Sequence, residues 1–388
     1  MSIKVCGLGV VSSLGVGYAE NLRSLQGGVC GIAPLTLFES EIKSPVGEVK
    51  FSNLEIKNIL NISPERSISR TALLATLAVK EALNDAEISS EKRVGLISAT
   101  SVGGMDLTED FYREYMVNPN GGRLRNVVGH DCASSTDFVA EYCQISGFCT
   151  TISTACSSAA NAVIMGAQML ESGMLDYVIV GGVDPLCRFT YNGFNSLKIL
   201  DTEFCCPMDS DRKGLNLGEG AGYIVLTKDN KAKKEYCNLV GYANANDAFH
   251  QTASSENGEG AYRAMKEALG MSNIERVDYI NLHGTGTPNN DSSEAAAIRR
   301  LFKENIPACS STKTFTGHTL AAAGGIEAVF SVMSLREKML WQNLRFKNPI
   351  APYDIIPLCK NEIKNDVKSV MSNSFGFGGN CSSLIFSL

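Results

Sequence analysis

Apolar and polar positions alternate along the chain in blocks that predict strands and helices in turn. Short apolar, β-branched runs predict buried strands, and apolar positions three or four apart predict helices. Strands are expected at 3–11, 93–99, 148–153, 176–182, 221–227, 238–246, 277–282, 308–312, 368–373 and 382–387. Helices are expected at 18–25, 69–86, 135–145, 157–171, 259–269, 291–303 and 319–336, and irregular segments at 117–130 and 185–218.

This alternation predicts an α/β protein with parallel sheet. It runs through the chain twice, and each half places a Gly-rich turn directly after a buried strand. We therefore expect a duplicated α/β unit with its site between the halves. The expected halves are residues 1–220, with the candidate nucleophile described next, and residues 221–388.

The central junction of the chain reads Thr154-Ala155-Cys156-Ser157-Ser158, between the strand at 148–153 and the helix at 157–171. A cysteine there lies beside the free N–H groups and positive dipole end of a helix, which favour a thiolate and offer an oxyanion site. Cys156 is thus a candidate nucleophile. The chain has 13 cysteines, however, and most cysteines are small buried apolar residues, so that alternative stays open at this point.

Composition narrows the class of protein. The chain is 44% apolar and 20% charged, as in soluble globular proteins, and its net charge of −6 argues against nucleic-acid binding. An odd number of cysteines with no C-x-x-C pair fits reduced cytoplasmic thiols and offers no metal site. No apolar run of about 18 residues predicts a membrane helix. The apolar N-terminus could be a signal peptide, but its glycines favour a buried first strand.

Two of the four histidines follow predicted strands. His283 opens the segment His283-Gly284-Thr285-Gly286-Thr287-Pro288, and His318 ends the segment 311–318 before an Ala/Gly-rich helix. Strand ends are where open α/β sheets build their sites. His130 and His250 lie in predicted loops, and we expect a structural role for both.

Four segments together resemble a known family. T-A-C-S-S, H-G-T-G-T-P, S-T-K-x-x-T-G-H and N-S-F-G-F-G-G occur in that order, and the resemblance to the elongating β-ketoacyl-acyl-carrier-protein synthases covers nearly the whole chain. It implies a thiolase-like fold with duplicated halves in a layered αβαβα architecture. It also implies that Cys156, His283 and His318 form the catalytic trio.

The resemblance implies a decarboxylating Claisen condensation. Cys156 would hold the acyl group as a thioester, with its own N–H and that of Phe377 stabilising the oxyanion. The two histidines would stabilise the enolate formed when a malonyl-carrier thioester loses CO2. The product would be a 3-oxoacyl chain two carbons longer.

Supporting roles also follow from the resemblance. Because the substrates are carried on the phosphopantetheine of an acyl-carrier protein, no separate cofactor and no metal is expected. The resemblance implies that Lys313 orients the histidines and that Glu294 and Glu327 are carboxylates near that lysine. Thr285 and Thr287 would contact the phosphopantetheine. Phe375 and Phe377 would be the aromatic pair beside the cysteine, with Phe377 as the gate to the acyl pocket, and Val102 would line the distal part of that pocket.

The expected partners are an acyl-carrier protein and a second subunit. The family builds homodimers, here through residues near Val102 and the segment 132–150, and a heterodimer with a chain-length-factor-like subunit is possible. Arg66 and Arg212 are hypothetical contacts for the acidic carrier protein. Neither nucleic acid nor membrane is expected as a partner.

The pathway and two alternatives remain open. Asn380-Cys381 stands where the family usually has Thr-Asn, and the chain is somewhat short, so elongation could serve fatty acids or an aryl-polyene or polyketide-like product. A non-condensing chain-length factor would lack the nucleophile that this chain has. A thiolase-type acyltransferase would use a second cysteine, for which Cys381 is the candidate.

Overall fold

The computed structural model describes residues 2–89, 92–230 and 232–388. The strands are β1 (Ile3–Ser12), β2 (Gly15–Val16), β3 (Val94–Ala99), β4 (Cys149–Ile152), β5 (Tyr177–Asp184), β6 (Gly220–Thr227), β7 (Cys237–Asn246), β8 (Tyr279–Asn281), β9 (Ala308–Ser310), β10 (Met339–Leu340), β11 (Glu362–Ile363), β12 (Ser369–Phe375) and β13 (Asn380–Ser387). The α-helices are α1 (Tyr18–Gln26), α2 (Asn53–Ile59), α3 (Arg70–Ala86), α4 (Met105–Val117), α5 (Arg125–Val128), α6 (Cys132–Tyr142), α7 (Ser158–Glu171), α8 (Arg188–Ser196), α9 (Glu259–Ser272), α10 (Pro288–Phe302), α11 (Lys313–Thr316) and α12 (Ala323–Glu337).

The main sheet has the order β4-β3-β5-β6-β1-β7-β13-β12-β8-β9, with β2 added to β1. Read outward from the junction of β1 and β7, each side has the same order. In each half the strands follow one another in the order first, fifth, fourth, second and third, when the short strands β2, β10 and β11 are left out of the count. The predicted duplication is therefore confirmed by the topology, although the two halves share little sequence.

The sheet is mixed, so the prediction of a parallel sheet is wrong for its middle. β5-β6, β6-β1, β1-β7, β7-β13 and β13-β12 are antiparallel pairs. Only the outer pairs β3-β4, β3-β5, β12-β8 and β8-β9 are parallel. The short Gly-rich connection between β12 and β13 makes a hairpin, which requires antiparallel strands.

Helices α7 and α12 form the layer between the two halves. α12 packs against β6 on one side and β12 on the other, while α7 packs against β5 and also reaches β13. α12 is buried on every side from Ala323 to Leu335, as a central helix must be. It approaches β6 so closely that a Cβ on Gly325 would lie 2.3 Å from the carbonyl oxygen of Gly222. With α3 outside one half and α9 and α10 outside the other, the predicted αβαβα layering is confirmed.

Most predicted elements are present within a residue or two of their expected ends, but five helices were missed. They are α2, α4, α5, α8 and α11. The strand predicted as buried at 148–153 is β4, which lies at the outer edge of the sheet and is half-buried. Among the described residues, no helix is long and apolar enough to cross a membrane.

The predicted division of the chain after residue 220 falls at the start of β6. This strand pairs with β5 and β1 and completes the first half of the sheet. The two half-sheets meet where β1 pairs with β7.

Candidate active site

The turn from β4 to α7 presents Cys156. Ala155 has a φ of +53°, a left-handed conformation that is strained for a residue with a side chain. Ser158 Oγ holds the turn closed by accepting from the Thr154 N–H at 2.7 Å and donating to the Ala155 carbonyl. This turn places Cys156 directly before the start of α7, with 6% of its surface exposed.

The two predicted histidines converge on this cysteine from the second half of the chain. His318 Nε2 lies 3.1 Å from Cys156 Sγ. The rings of His283 and His318 meet edge to face, with centroids 5.4 Å apart. His283 follows β8 and His318 follows α11, so the predicted trio is one cluster in the structure.

Lys313 sets the protonation of His283. Its Nζ lies 3.4 Å from His283 Nδ1 and forms an ion pair with Glu327, and all three side chains are buried. An ammonium group can only donate, so Nδ1 accepts and the ring hydrogen lies on Nε2. Burial, and then the Lys313 charge, hold the pKa of both histidines well below its usual range. His283 is thus a neutral imidazole that presents an Nε2–H.

Glu294 does not contact Lys313, which corrects its predicted role. Its carboxylate accepts from the backbone N–H groups of His283 at 2.9 Å and Gly284 at 2.8 Å, and from Asn373 Nδ2 at 3.1 Å. The turn that carries His283 is therefore fixed through its backbone by Glu294, while Glu327 alone pairs with Lys313. The physical reason is that α10 packs beside α9 on the outside of the second half, whereas α12 lies between the half-sheets.

The resting thiol of Cys156 is protonated, contrary to the expectation of a favoured thiolate. Burial raises its pKa to about 11, although the Lys313 charge and the N–H groups of Phe377 and Cys156 itself lower it. Desolvation of the charged form therefore outweighs these favourable interactions. The cysteine needs a proton acceptor, and His318 Nε2 is in position to be one.

The aromatic pair lies as predicted beside the cysteine. The Phe375 ring lies 5.7 Å from that of His283, and Phe377 stacks on Phe194 with centroids 6.1 Å apart. A Cβ on Gly376 would lie 3.2 Å from the Cys156 nitrogen, so the glycine allows the Phe377 turn to lie against the nucleophile. The N–H of Phe377 and that of Cys156 therefore point into one small space, as an oxyanion site requires.

A cavity of about 230 Å³ opens from Cys156 to the surface. Thr285 and Thr287 line it, with their hydroxyl oxygens 2.9 Å apart, and their contact with a phosphopantetheine arm stays a prediction. Asp291 holds their turn by accepting from the N–H groups of Thr285 and Gly286. His250, for which we expected a structural role, lies exposed at the mouth and lines the cavity.

Three weaker predictions fare differently. Val102 does not line the cavity but packs behind it, in a cluster with Leu215 and Leu320. The side chain of Arg212 is 7% exposed, donates to the Pro288 carbonyl and to Ser292, and so is not free to contact a partner. Arg66 has an exposed side chain that lies 3.5 Å from Glu141.

Cys381 is not placed to act as a second catalytic cysteine. It lies in β13 opposite Phe375, packs in the core of the second half, and burial raises its pKa to about 12. It does not line the cavity that holds Cys156. Among residues 2–89, 92–230 and 232–388, no group of three or more His, Cys, Asp or Glu side chains is placed to hold a metal ion.

Sequence reasoning gave no role to four residues of this site. Phe194 stacks on the gate, Asn373 binds Glu294, Asp291 holds the threonine turn, and Asn380 joins the gate to α7. Phe194 lies in the missed helix α8. Asn373 lies inside the recognised segment N-S-F-G-F-G-G, so its polar side chain in a buried strand was a usable signal.

Comparison with known proteins agrees with this geometry. The family model described as "Beta-ketoacyl synthase, N-terminal domain" matches residues 1–232, and that described as "Beta-ketoacyl synthase, C-terminal domain" matches residues 236–347. A 3-oxoacyl-[acyl-carrier-protein] synthase 2 of Staphylococcus aureus is 32% identical, over 98% of this chain and 100% of that protein.

Solved structures give the same picture. A ketosynthase in complex with its chain length factor, from Xenorhabdus doucetiae, has a TM-score of 0.87 and 31% identity over 100% of this chain and 98% of that one. The ishigamide ketosynthase/chain length factor has a TM-score of 0.93 and 26% identity, with 100% and 98% covered. Fold, site and relatives together define an acyl-transferring enzyme of the condensing class. The chain belongs to the β-ketoacyl synthase family.

Proposed function

We propose that the chain elongates an acyl group bound to Cys156 with malonyl-acyl-carrier protein, releasing CO2 and a 3-oxoacyl-acyl-carrier protein. The observation that carries this proposal is the cluster of Cys156, His318 and the lysine-bound His283 at the base of one cavity. A single cluster thus offers a nucleophile, a proton acceptor and an enolate-stabilising donor.

The first half-reaction loads the enzyme. An acyl thioester enters with its phosphopantetheine arm along Thr285 and Thr287, and its carbonyl oxygen faces the N–H groups of Cys156 and Phe377. His318 Nε2 takes the thiol proton as sulfur attacks and returns it to the departing phosphopantetheine thiolate. His318 suits this task because its Nδ1 has no partner among the described residues, so neither neutral tautomer is fixed.

The second half-reaction forms the carbon–carbon bond. Loss of CO2 from the malonyl thioester leaves an enolate, whose oxygen accepts from the Nε2–H groups of His283 and His318. The α-carbon then attacks the Cys156 thioester, and the thiolate that leaves is protonated. In each catalytic cycle, one acyl-carrier thioester, one malonyl-carrier thioester and one proton become a 3-oxoacyl-carrier thioester, CO2 and the free phosphopantetheine thiol of the first carrier.

We propose that the chain works as a dimer, either of two copies or with a chain-length-factor-like subunit. β4 is the outer strand of the sheet, so one of its edges is unpaired, and this edge supports the proposal. Exposed apolar side chains of α4 and the segment after it add to this support. They are Tyr112, Tyr115, Met116, Val117, Leu124 and Val128.

The pathway is either fatty-acid elongation or elongation of an aryl-polyene or polyketide-like chain. The first is supported by the 3-oxoacyl synthase relatives, and the second by the likeness to ketosynthases that act with chain length factors. No resident cofactor is proposed, because the carrier's phosphopantetheine brings the substrates. Thirteen free cysteines support a reducing, cytoplasmic setting.

The proposed function is tested by intact-protein and peptide mass spectrometry. The protein is incubated with a panel of aliphatic and aromatic acyl-carrier thioesters and then with malonyl-carrier protein. We expect an acyl adduct on the peptide that contains Cys156, followed by its transfer to a 3-oxoacyl-carrier product. If wild-type protein gave no adduct with any primer while the chain was folded, the proposed function would be wrong.

The carrier contact at Arg66 is a separate prediction. The Arg66 side chain is 49% exposed, and its charge can meet an acidic carrier protein. Arg66→Glu should raise the apparent KM for carrier-bound substrate about three- to tenfold, because rim charges act mainly on encounter. The KM for an acyl-pantetheine thioester should not change. Equal effects on the two substrates would refute the contact, and Arg263→Glu, on α9, serves as the matched charge control.

A further inference from the structure

One side-chain oxygen links the gate to the nucleophile turn. Asn380 Oδ1 accepts from Ser157 Oγ at 2.7 Å, from Asn161 Nδ2 at 2.8 Å and from Asn244 Nδ2 at 2.7 Å. Ser157 directly follows Cys156, Asn161 lies one turn further along α7, and Asn244 lies on β7. One residue thus joins three separate elements at the base of the site.

The backbone of Asn380 holds the other end of this link. Its carbonyl accepts from the Gly376 N–H at 2.8 Å, which closes the turn that carries Phe377. Gly378 and Gly379, between Phe377 and Asn380, have φ values of +82° and +78°. Such a glycine turn has little stiffness of its own, so its position depends on its hydrogen bonds. Besides those of Asn380, these include the Gly378 N–H to the Gln251 carbonyl at 2.7 Å and the Asp247 N–H to the Gly379 carbonyl at 2.8 Å.

We infer that Asn380 is a positioning residue that sets the distance between the two oxyanion donors, the N–H groups of Phe377 and Cys156. Its side chain is bound to the residue after Cys156, and its backbone to the residue before Phe377. Without the side-chain oxygen, the Phe377 turn can shift relative to the nucleophile. This inference deepens the proposed function, because the oxyanion site serves the acyl transfer proposed above.

Loss of the oxygen should leave the fold intact. Ser157 Oγ also bonds the Thr154 carbonyl at 2.8 Å, and Asn161 Nδ2 also donates to Thr154 Oγ1 at 2.8 Å. Asn244 Nδ2 also bonds Asn161 Oδ1 and Ser382 Oγ. Each of the three donors therefore keeps a partner when Asn380 is shortened, so what changes is the position of the gate.

The test compares Asn380→Ala, Ser157→Ala and the double variant. Removing an oxyanion donor costs about 10²- to 10³-fold in rate, so a displaced donor should cost about tenfold. We expect each single variant to slow acylation of Cys156 by an acyl-pantetheine thioester about tenfold at saturation, with little change in KM. The double variant should be no slower than Asn380→Ala alone, because Asn380→Ala already removes the bond to Ser157. Multiplying effects would overturn the inference.

A second arm needs no acyl substrate. The rate of Cys156 alkylation by iodoacetamide is followed against pH by peptide mass spectrometry. The Phe377 N–H lowers the pKa of this thiol, so its displacement should move the Asn380→Ala profile to higher pH. General loosening of the fold would instead expose the thiol and move the profile to lower pH. An unchanged profile would also overturn the inference.

Asn361→Ala is the matched control. The Asn361 side chain likewise bonds to backbone, because its Nδ2 donates to the carbonyls of Leu25 and Gln26. These two partners are far from the gate in the sequence. It should leave both the acylation rate and the alkylation profile at wild-type values. If wild-type protein accepts no acyl group, the proposed function fails, but the alkylation profiles still decide whether Asn380 positions the Phe377 turn.

Discussion

Cys156→Ala should abolish condensation and still release CO2 from malonyl-acyl-carrier protein. Decarboxylation requires the enolate oxygen to be held by His283 and His318, and His283 is oriented by Lys313 rather than by the cysteine. Condensation requires the thioester, so its rate should fall by more than about 10³-fold, as when other nucleophiles are removed. The two activities are read from CO2 release and from the intact mass of the carrier, which should appear as acetyl-carrier.

The reciprocal variant gives the control for this separation. His283→Ala should lose decarboxylation and keep acylation of Cys156, because the oxyanion site and His318 are untouched. Loss of both activities in Cys156→Ala, in protein whose thermal unfolding midpoint matches wild type, would mean that the thiol itself takes part in decarboxylation. The division of labour proposed here would then be wrong.

The catalytic trio could be predicted from sequence because each member stands in a distinctive local segment. T-A-C-S-S gives a strand–turn–helix, and both histidines follow strands, so all three were expected at strand ends, where open α/β sheets build their sites. The order of strands in each half could not be predicted. The alternation of elements along the chain is the same for parallel and mixed sheets, and only the β12–β13 hairpin in the C-terminal half gave a sign of antiparallel pairing.

The two glutamates show where local sequence stops being informative. Glu294 and Glu327 lie in helices of similar length, and both were expected near Lys313. Only the packing of α12 between the half-sheets brings Glu327 to the lysine, and only the outer position of α10 turns Glu294 toward the His283 backbone. Which helix lies inside is a property of the whole fold.

Two further features, the charge state of Cys156 and the helix α2, were not predicted correctly from the sequence. The position of Cys156 at the start of a helix was visible in the sequence, but the degree of burial that raises the pKa of its thiol was not. α2 did carry a readable signal, because Ser52 and Glu55 form a capping box, with the Ser52 side chain accepting from the Glu55 N–H and the Glu55 side chain from the Ser52 N–H. Its apolar face is too short to show a period.

Lys313→Met should damage both stability and decarboxylation, and the two effects can be separated. The substitution leaves Glu327 as a carboxylate in a buried site without its partner, which costs about 3–5 kcal/mol. Decarboxylation should fall by about 10²-fold or more, because His283 Nδ1 loses the donor that keeps the hydrogen on Nε2.

The stability loss should depend on pH with a defined sign. Burial raises the pKa of the Glu327 carboxyl, and without Lys313 that rise is unopposed. A carboxyl group whose pKa is raised in the folded state costs little folding free energy at low pH, where it is protonated. The folded state loses stability as pH rises and the group must ionise. Urea unfolding of Lys313→Met should therefore give a smaller loss at pH 5 than at pH 8, while the wild-type difference between these pH values is smaller.

The double variant Lys313→Met with Glu327→Leu separates folding from chemistry. Replacing a buried ion pair by apolar side chains of similar volume is often neutral or stabilising, so the free energy of unfolding should return to near wild type and lose its added pH dependence. Decarboxylation should stay low, because His283 still lacks its donor. Recovery of decarboxylation in the double variant would show that Lys313 serves only to neutralise Glu327, and that the tautomer of His283 is set by some other group.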